Sequence, residues 1–208
     1  MFRGSIVALI TPFHEDGSVN YEKIRELIEW HIENETDAIL VLGTTAESPA
    51  LTATEEDEIV RIAVEQAAGR VPIIAGSGSN NTMIAVEQSV KFEKMGVDGL
   101  LVITPYYNKT SQTGLVAHYN YIADRVSKPI ILYNVPSRTG VDIKPETYKE
   151  LSKHPNIVAT KEANGDIGSI AKTRYLCGDD LQIYSGNDDQ IVPIMSLGGI
   201  GVISVLSN

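Results

Sequence analysis

The stretch Ile157-Val158-Ala159-Thr160-Lys161 reads as a short buried β-strand that ends in a lysine. Side chains alternate between faces along a strand, which puts Ile157, Ala159 and Lys161 on one side. A lysine sharing a face with two apolar residues is unusual. Burial disfavours its charged form and pulls its pKa down from about 10.4. A neutral lysine amine is a nucleophile that forms Schiff bases with carbonyl compounds. The competing reading is a strand-end lysine that snorkels to water.

Outward from this stretch, the same unit repeats along the chain. Apolar strands are expected at Ser5 to Ile10, Ala38 to Leu42, Pro72 to Ala75, Gly99 to Ile103, Pro129 to Leu132, Ile157 to Lys161, Leu181 to Tyr184 and Gly201 to Leu206. Helices are expected between them. The first covers Tyr21 to Glu33, where Ile24, Leu27, Ile28 and Ile32 recur at helical spacing behind an Asn20 cap. The second opens with Thr54 and Asp57 as a box-like cap, and a later one starts at Pro145. Eight strands alternating with seven helices imply parallel strands joined by right-handed crossovers. Eight units favour a closed (β/α)8 barrel, one domain over residues 1–208. No G-x-G-x-x-G follows the first strand, which weighs against a dinucleotide-binding sheet.

The bulk composition narrows the partners. A net charge of −10 argues against nucleic acid or an anionic membrane. The most apolar run, Ile191 to Leu206, is broken by Pro193, Gly198, Gly199 and Gly201, which argues against a membrane helix. The apolar run after Met1-Phe2-Arg3-Gly4 is too short for a signal-peptide core. One cysteine, Cys177, allows no internal disulfide and suits a cytoplasmic protein. His14, His31, His118 and His154 are scattered, so neither a metal nor another cofactor is expected. The pairs Asp179-Asp180 and Asp188-Asp189 fit turns and a helix start better than a metal site.

In such a barrel the chemistry collects at the C-terminal ends of the strands. Those ends carry Thr44, Thr45, Tyr106, Tyr107, Tyr133, Lys161 and Gly186. Phenols and a threonine hydroxyl can relay protons to and from a lysine amine. Arg138 offers a planar fork for a carboxylate. Each has a plainer reading as a wet loop residue, a packed tyrosine or a surface ion pair.

Three motifs in order, Gly43-Thr44-Thr45-Ala46-Glu47-Ser48, Tyr133-Asn134-Val135-Pro136 with Arg138-Thr139-Gly140, and Ala159-Thr160-Lys161-Glu162, resemble the dihydrodipicolinate synthase family. That family belongs to the pyruvate-dependent class I aldolases and lyases, and the similarity runs from Phe2 to Asn208. The resemblance implies that Lys161 forms a Schiff base with pyruvate and that Tyr133 passes protons. It implies that Thr44 links Tyr133 to Tyr107, which a neighbouring subunit supplies within a dimer or a dimer of dimers. Thr45, with Thr44, would hold the pyruvate carboxylate. Arg138 would bind the carboxylate of L-aspartate 4-semialdehyde, and Gly186 and Ile203 would line the pyruvate pocket. The product would be 4-hydroxy-tetrahydrodipicolinate, on the route to diaminopimelate and lysine. Rival readings are an N-acetylneuraminate lyase, a 2-keto-3-deoxy sugar acid aldolase, or a non-catalytic binding paralogue.

The chain departs from the family's pattern in two places. Ala46 stands where the family commonly has glycine, so strain is expected there if that backbone needs a positive φ. The sequence also ends at Asn208, before the family's last barrel helix and small helical domain. On strand eight, Ile203 and Val205 are expected to face inward, with Val202, Ser204 and Leu206 outward. In lysine-sensitive relatives a dimer-interface effector site uses histidine and glutamate side chains. The corresponding positions here are Ala53, Glu56 and Ile84, beside Asn80 and Tyr106, which implies weak feedback by lysine.

Overall fold

Eight parallel strands close into a barrel in chain order, each pairing with the next and β8 returning to β1. The strands of this computed structural model, which describes residues 2–208, are β1 Gly4–Ala8, β2 Ala38–Val41, β3 Ile73–Gly76, β4 Gly99–Ile103, β5 Ile130–Asn134, β6 Ile157–Glu162, β7 Gln182–Ser185 and β8 Gly201–Ser204. The helices are α1 Tyr21–Glu33, α2 Ala53–Ala67, α3 Thr82–Lys94, α4 Gln112–Ala123, α5 Pro136–Thr139, α6 Pro145–Leu151, α7 Ile167–Cys177 and α8 Ile191–Ser196. Among the described residues no helix is long and apolar enough to cross a membrane.

Alternation along the strands builds two apolar layers. Inward residues such as Ile6, Leu40, Ile74, Leu101, Ile131 and Ile203 fill the barrel. Outward residues such as Val7, Ile39, Val102 and Leu132 pack against Ile28, Ile59, Phe92 and Tyr119 of the helices. Burying each such side chain is worth about 1.5–3 kcal/mol, so the outer layer holds the helices on the barrel.

The structure corrects several expectations. Ile157 does not share the face of Ala159 and Lys161. The β5–β6 register jumps from Ile130↔Ile157 to Ile131↔Ala159. The extra residue is a bulge that flips the strand start, so Ile157 joins the outer layer while Ala159 stays inside. The cap of α2 is Thr52 with Glu55, two residues earlier than expected, with both side-chain-to-backbone bonds of a capping box in place. Ala46 has no positive φ. It closes a 3-10 turn, Thr44–Ala46, and the left-handed residues are its neighbours Leu42 (φ 56°) and Glu47 (φ 55°). Ala46 is buried, and its carbonyl accepts a 2.7 Å bond from Thr11 Oγ1.

Strand β8 ends at Ser204 instead of Leu206. The carboxylate of Asp188 takes the chain over from there, accepting from Ser204 Oγ at 2.5 Å and from the backbone N–H of Val205 and Leu206. Val205 is therefore half exposed instead of inward, and Val202, on the outward face, is buried. Leu206, beyond the end of the strand, is exposed.

Candidate active site

The C-terminal ends of β5 and β6 set the centre of the site, because Tyr133 and Lys161 are direct register partners. Both point inward. Lys161 is 4% exposed, and its Nζ lies 4.5 Å from the centroid of the Tyr133 ring. Burial is the main influence on this amine and pulls its pKa down to about 8. Asp188 acts to raise it and Arg138 to lower it further. The Tyr133 phenol is pushed up by burial, while polar contact with Thr44 and the charge of Arg138 act the other way. An amine with a pKa near 8 is partly neutral at physiological pH, which attack on a carbonyl requires.

A cavity of about 450 Å³ opens beside this pair. Its wall includes Gly43, Thr44, Leu101, Ile103, Tyr133 and Arg138. Lys161 is not part of that wall; it lies against the face of the Tyr133 ring. Arg138 sits on the one-turn helix α5, which begins at Pro136 and is ended by Gly140 at φ 70°. That turn, absent from the sequence reading, aims the guanidinium at the cavity. Among the described residues Arg138 forms no ion pair, so its surface-pair reading falls away.

Gly186 follows β7 directly behind the lysine. A Cβ there would stand 3.0 Å from Lys161 Cγ, from Ala163 Cβ and from the Glu162 carbonyl, so any side chain there would press on the lysine by a few tenths of an ångström. Ile203 lies in the barrel filling together with Tyr133 and Ala159. Thr45 is half-buried in the 3-10 turn, outside the cavity wall. Tyr107 is not brought to this centre. It is 90% exposed, with a left-handed φ of 68°.

Two nearby residues escaped the sequence reading. Asp188 read as a turn acid. It does open a 3-10 turn, but its carboxylate ties β8 and acts on Lys161 as well. Glu162 read as part of a motif, yet it is 1% exposed behind the lysine. The only sequence signal for either was a charged residue beside an otherwise apolar strand.

The model of the dihydrodipicolinate synthetase family matches residues 1–208. The chain belongs to that family. It is 59% identical over 208 residues to a 4-hydroxy-tetrahydrodipicolinate synthase of Clostridium perfringens, covering all of this chain and 71% of the relative. The crystal structure of dihydrodipicolinate synthase from Aquifex aeolicus superposes with a TM-score of 0.96 at 48% identity, over 99% of this chain and 70% of that one. The chloride-inhibited enzyme from Acinetobacter baumannii complexed with pyruvate superposes with a TM-score of 0.97 at 42% identity, over 100% of this chain and 71% of that one. Membership in this family places the chain among enzymes of the class I aldolase type.

Proposed function

We infer that this chain is a 4-hydroxy-tetrahydrodipicolinate synthase, condensing pyruvate with L-aspartate 4-semialdehyde in the biosynthesis of diaminopimelate and lysine. The observation that carries the reading is the buried Lys161 amine against Tyr133, in a chain 59% identical to an enzyme of that name. Lys161 Nζ attacks C2 of pyruvate and the ketone oxygen leaves as water. The resulting iminium draws electrons from the methyl carbon, which loses a proton to give an enamine. The enamine attacks the aldehyde carbon of the second substrate. Splitting the condensation this way replaces one hard carbanion step with easier ones.

Tyr133, with Thr44 on its hydroxyl, moves the protons of imine formation. Thr45 joins Thr44 in holding the pyruvate carboxylate, and Gly186 and Ile203 bound the pyruvate pocket. Arg138, unpaired at the cavity wall, receives the carboxylate of the semialdehyde.

Tyr107 completes the relay from a second copy of the chain, within a dimer or a dimer of dimers. A left-handed tyrosine costs roughly 1–3 kcal/mol. With its ring in water, no contact within the protomer offsets that. Exposed Met83 and Ile84 lie on the neighbouring α3 and supply apolar surface for the same contact. As an enzyme of soluble metabolites, the protein is assigned to the cytoplasm. The test is a coupled assay with pyruvate and aspartate semialdehyde, using N-acetylneuraminate as the control substrate. Turnover of the first pair alone supports the reading; turnover of N-acetylneuraminate alone overturns it.

A further inference from the structure

Behind Lys161 and Tyr133 the structure holds a second pair that the reaction as described does not use. The register that joins Tyr133 to Lys161 also joins Asn134 to Glu162, one residue on and on the opposite face. Asn134 and Glu162 are buried between the barrel and its helices. Tyr148 of α6 clamps this face. Its hydroxyl donates to Glu162 Oε1 and accepts from Thr160 Oγ1 at 3.1 Å. The two residues that flank Lys161 in sequence are thus tied to one phenol.

The main chain of Glu162 is tied as well. Its carbonyl accepts from Gly186 N–H at 2.7 Å, and the next N–H, of Ala163, donates to the Asn134 carbonyl at 2.9 Å. The Asn134 side chain donates to Asp142 Oδ1 at 2.9 Å and accepts from Ile143 N–H at 3.1 Å. Those bonds close the segment that follows the Arg138 turn. One buried cluster therefore fixes the backbone beneath Lys161, Tyr133 and Arg138 together.

We propose that Glu162 is a positioning residue for the Lys161 amine, acting through β6 by its bond to Tyr148. This rests on Lys161 being the nucleophile. The groups facing Glu162 are Tyr148 from α6, Thr160 from its own strand, Asn134 from β5, Ser185 from β7 and Asp142 from the segment after α5. None is a cation; the Lys144 ammonium pairs with Asp142. Glu162 Oε2 is buried with no partner among the described residues. A carboxylate would be uncompensated there, so the side chain works as a neutral acid. Burial, helped by Asp142 and opposed by Tyr148 and Asn134, places its pKa at about 8.

The test compares Glu162→Gln, Glu162→Ala and Tyr148→Phe in the full chain, with kcat, KM for pyruvate and pyruvate–borohydride labelling followed at about pH 7. Glu162→Ala and Tyr148→Phe are expected to lower kcat by roughly 10- to 100-fold, the scale of a slight misplacement, with KM for pyruvate within about threefold. Glu162→Gln, which keeps a neutral acceptor, is expected to retain at least about a third of kcat. Wild-type kcat in folded Glu162→Ala or Tyr148→Phe overturns the proposal. So does a Glu162→Gln variant as impaired as Glu162→Ala. If Glu162→Ala does not fold, the other two variants decide. A wild type that takes no pyruvyl label on Lys161 instead overturns the assignment of the nucleophile.

Discussion

Replacing Lys161 by methionine should abolish turnover and, at neutral pH, make the folded chain more stable. Methionine has a similar length, and its sulfur can keep the contact with the Tyr133 ring. What it removes is a buried ammonium with no hydrogen bond or ion pair among the described residues. Burial takes the Lys161 pKa from an ordinary 10.5 to about 8. At ~1.4 kcal/mol per pH unit that is roughly 3 kcal/mol of native stability forgone to hold the cation there. The sign follows from proton counts. Below about pH 8 the amine is protonated in both the folded and unfolded chains, so the full penalty applies. Between about 8 and 10.5 the unfolded chain holds the proton and the folded chain does not, so wild-type stability rises with pH. Above 10.5 the penalty is gone. Urea unfolding at about pH 7 should therefore give Lys161→Met an advantage of about 3 kcal/mol, which shrinks towards zero near pH 10.5. A variant less stable than wild type at neutral pH, or an advantage that does not fall with pH, refutes the argument.

Other outcomes follow from the same geometry. Mixing inactive Tyr107→Phe with inactive Lys161→Ala should restore part of the activity, because one hybrid site would hold both groups; mixed dimers as dead as their parents would exclude the trans arrangement. Arg138→Leu should raise KM for aspartate semialdehyde by about tenfold or more while KM for pyruvate moves little, since a lost charge-assisted bond is worth roughly 1.5–3 kcal/mol; steady-state kinetics with each substrate varied reads this. Lysine should inhibit weakly or not at all, because Ile84 offers the effector's ammonium no partner and burial favours the neutral form of Glu56 at the cavity wall. Inhibition below about a millimolar, an affinity of roughly 4 kcal/mol, would contradict that.

Much of the architecture is legible in the chain because each strand is a short apolar run and each connection carries helical spacing. The inward lysine is legible too, from alternation and its motif. The misses have local physical causes. A bulge adds one residue without changing composition, so the face of Ile157 cannot be counted from Lys161. Strand β8 stops early because Asp188, 16 residues before Ser204, captures its backbone. The loop strain expected at Ala46 resides instead at Leu42, two residues before the 3-10 turn, and at Glu47, which caps it. Glu162 was overlooked because a charged residue at a strand end usually faces water, and only the packed Tyr148 encloses it.

The most direct measurement of the central claim is covalent. The enzyme is incubated with pyruvate and borohydride, digested, and its peptides are weighed. A reduced pyruvyl group is expected on the peptide carrying Lys161. An adduct on Lys172 or Lys153 instead, or no adduct at all, would contradict it.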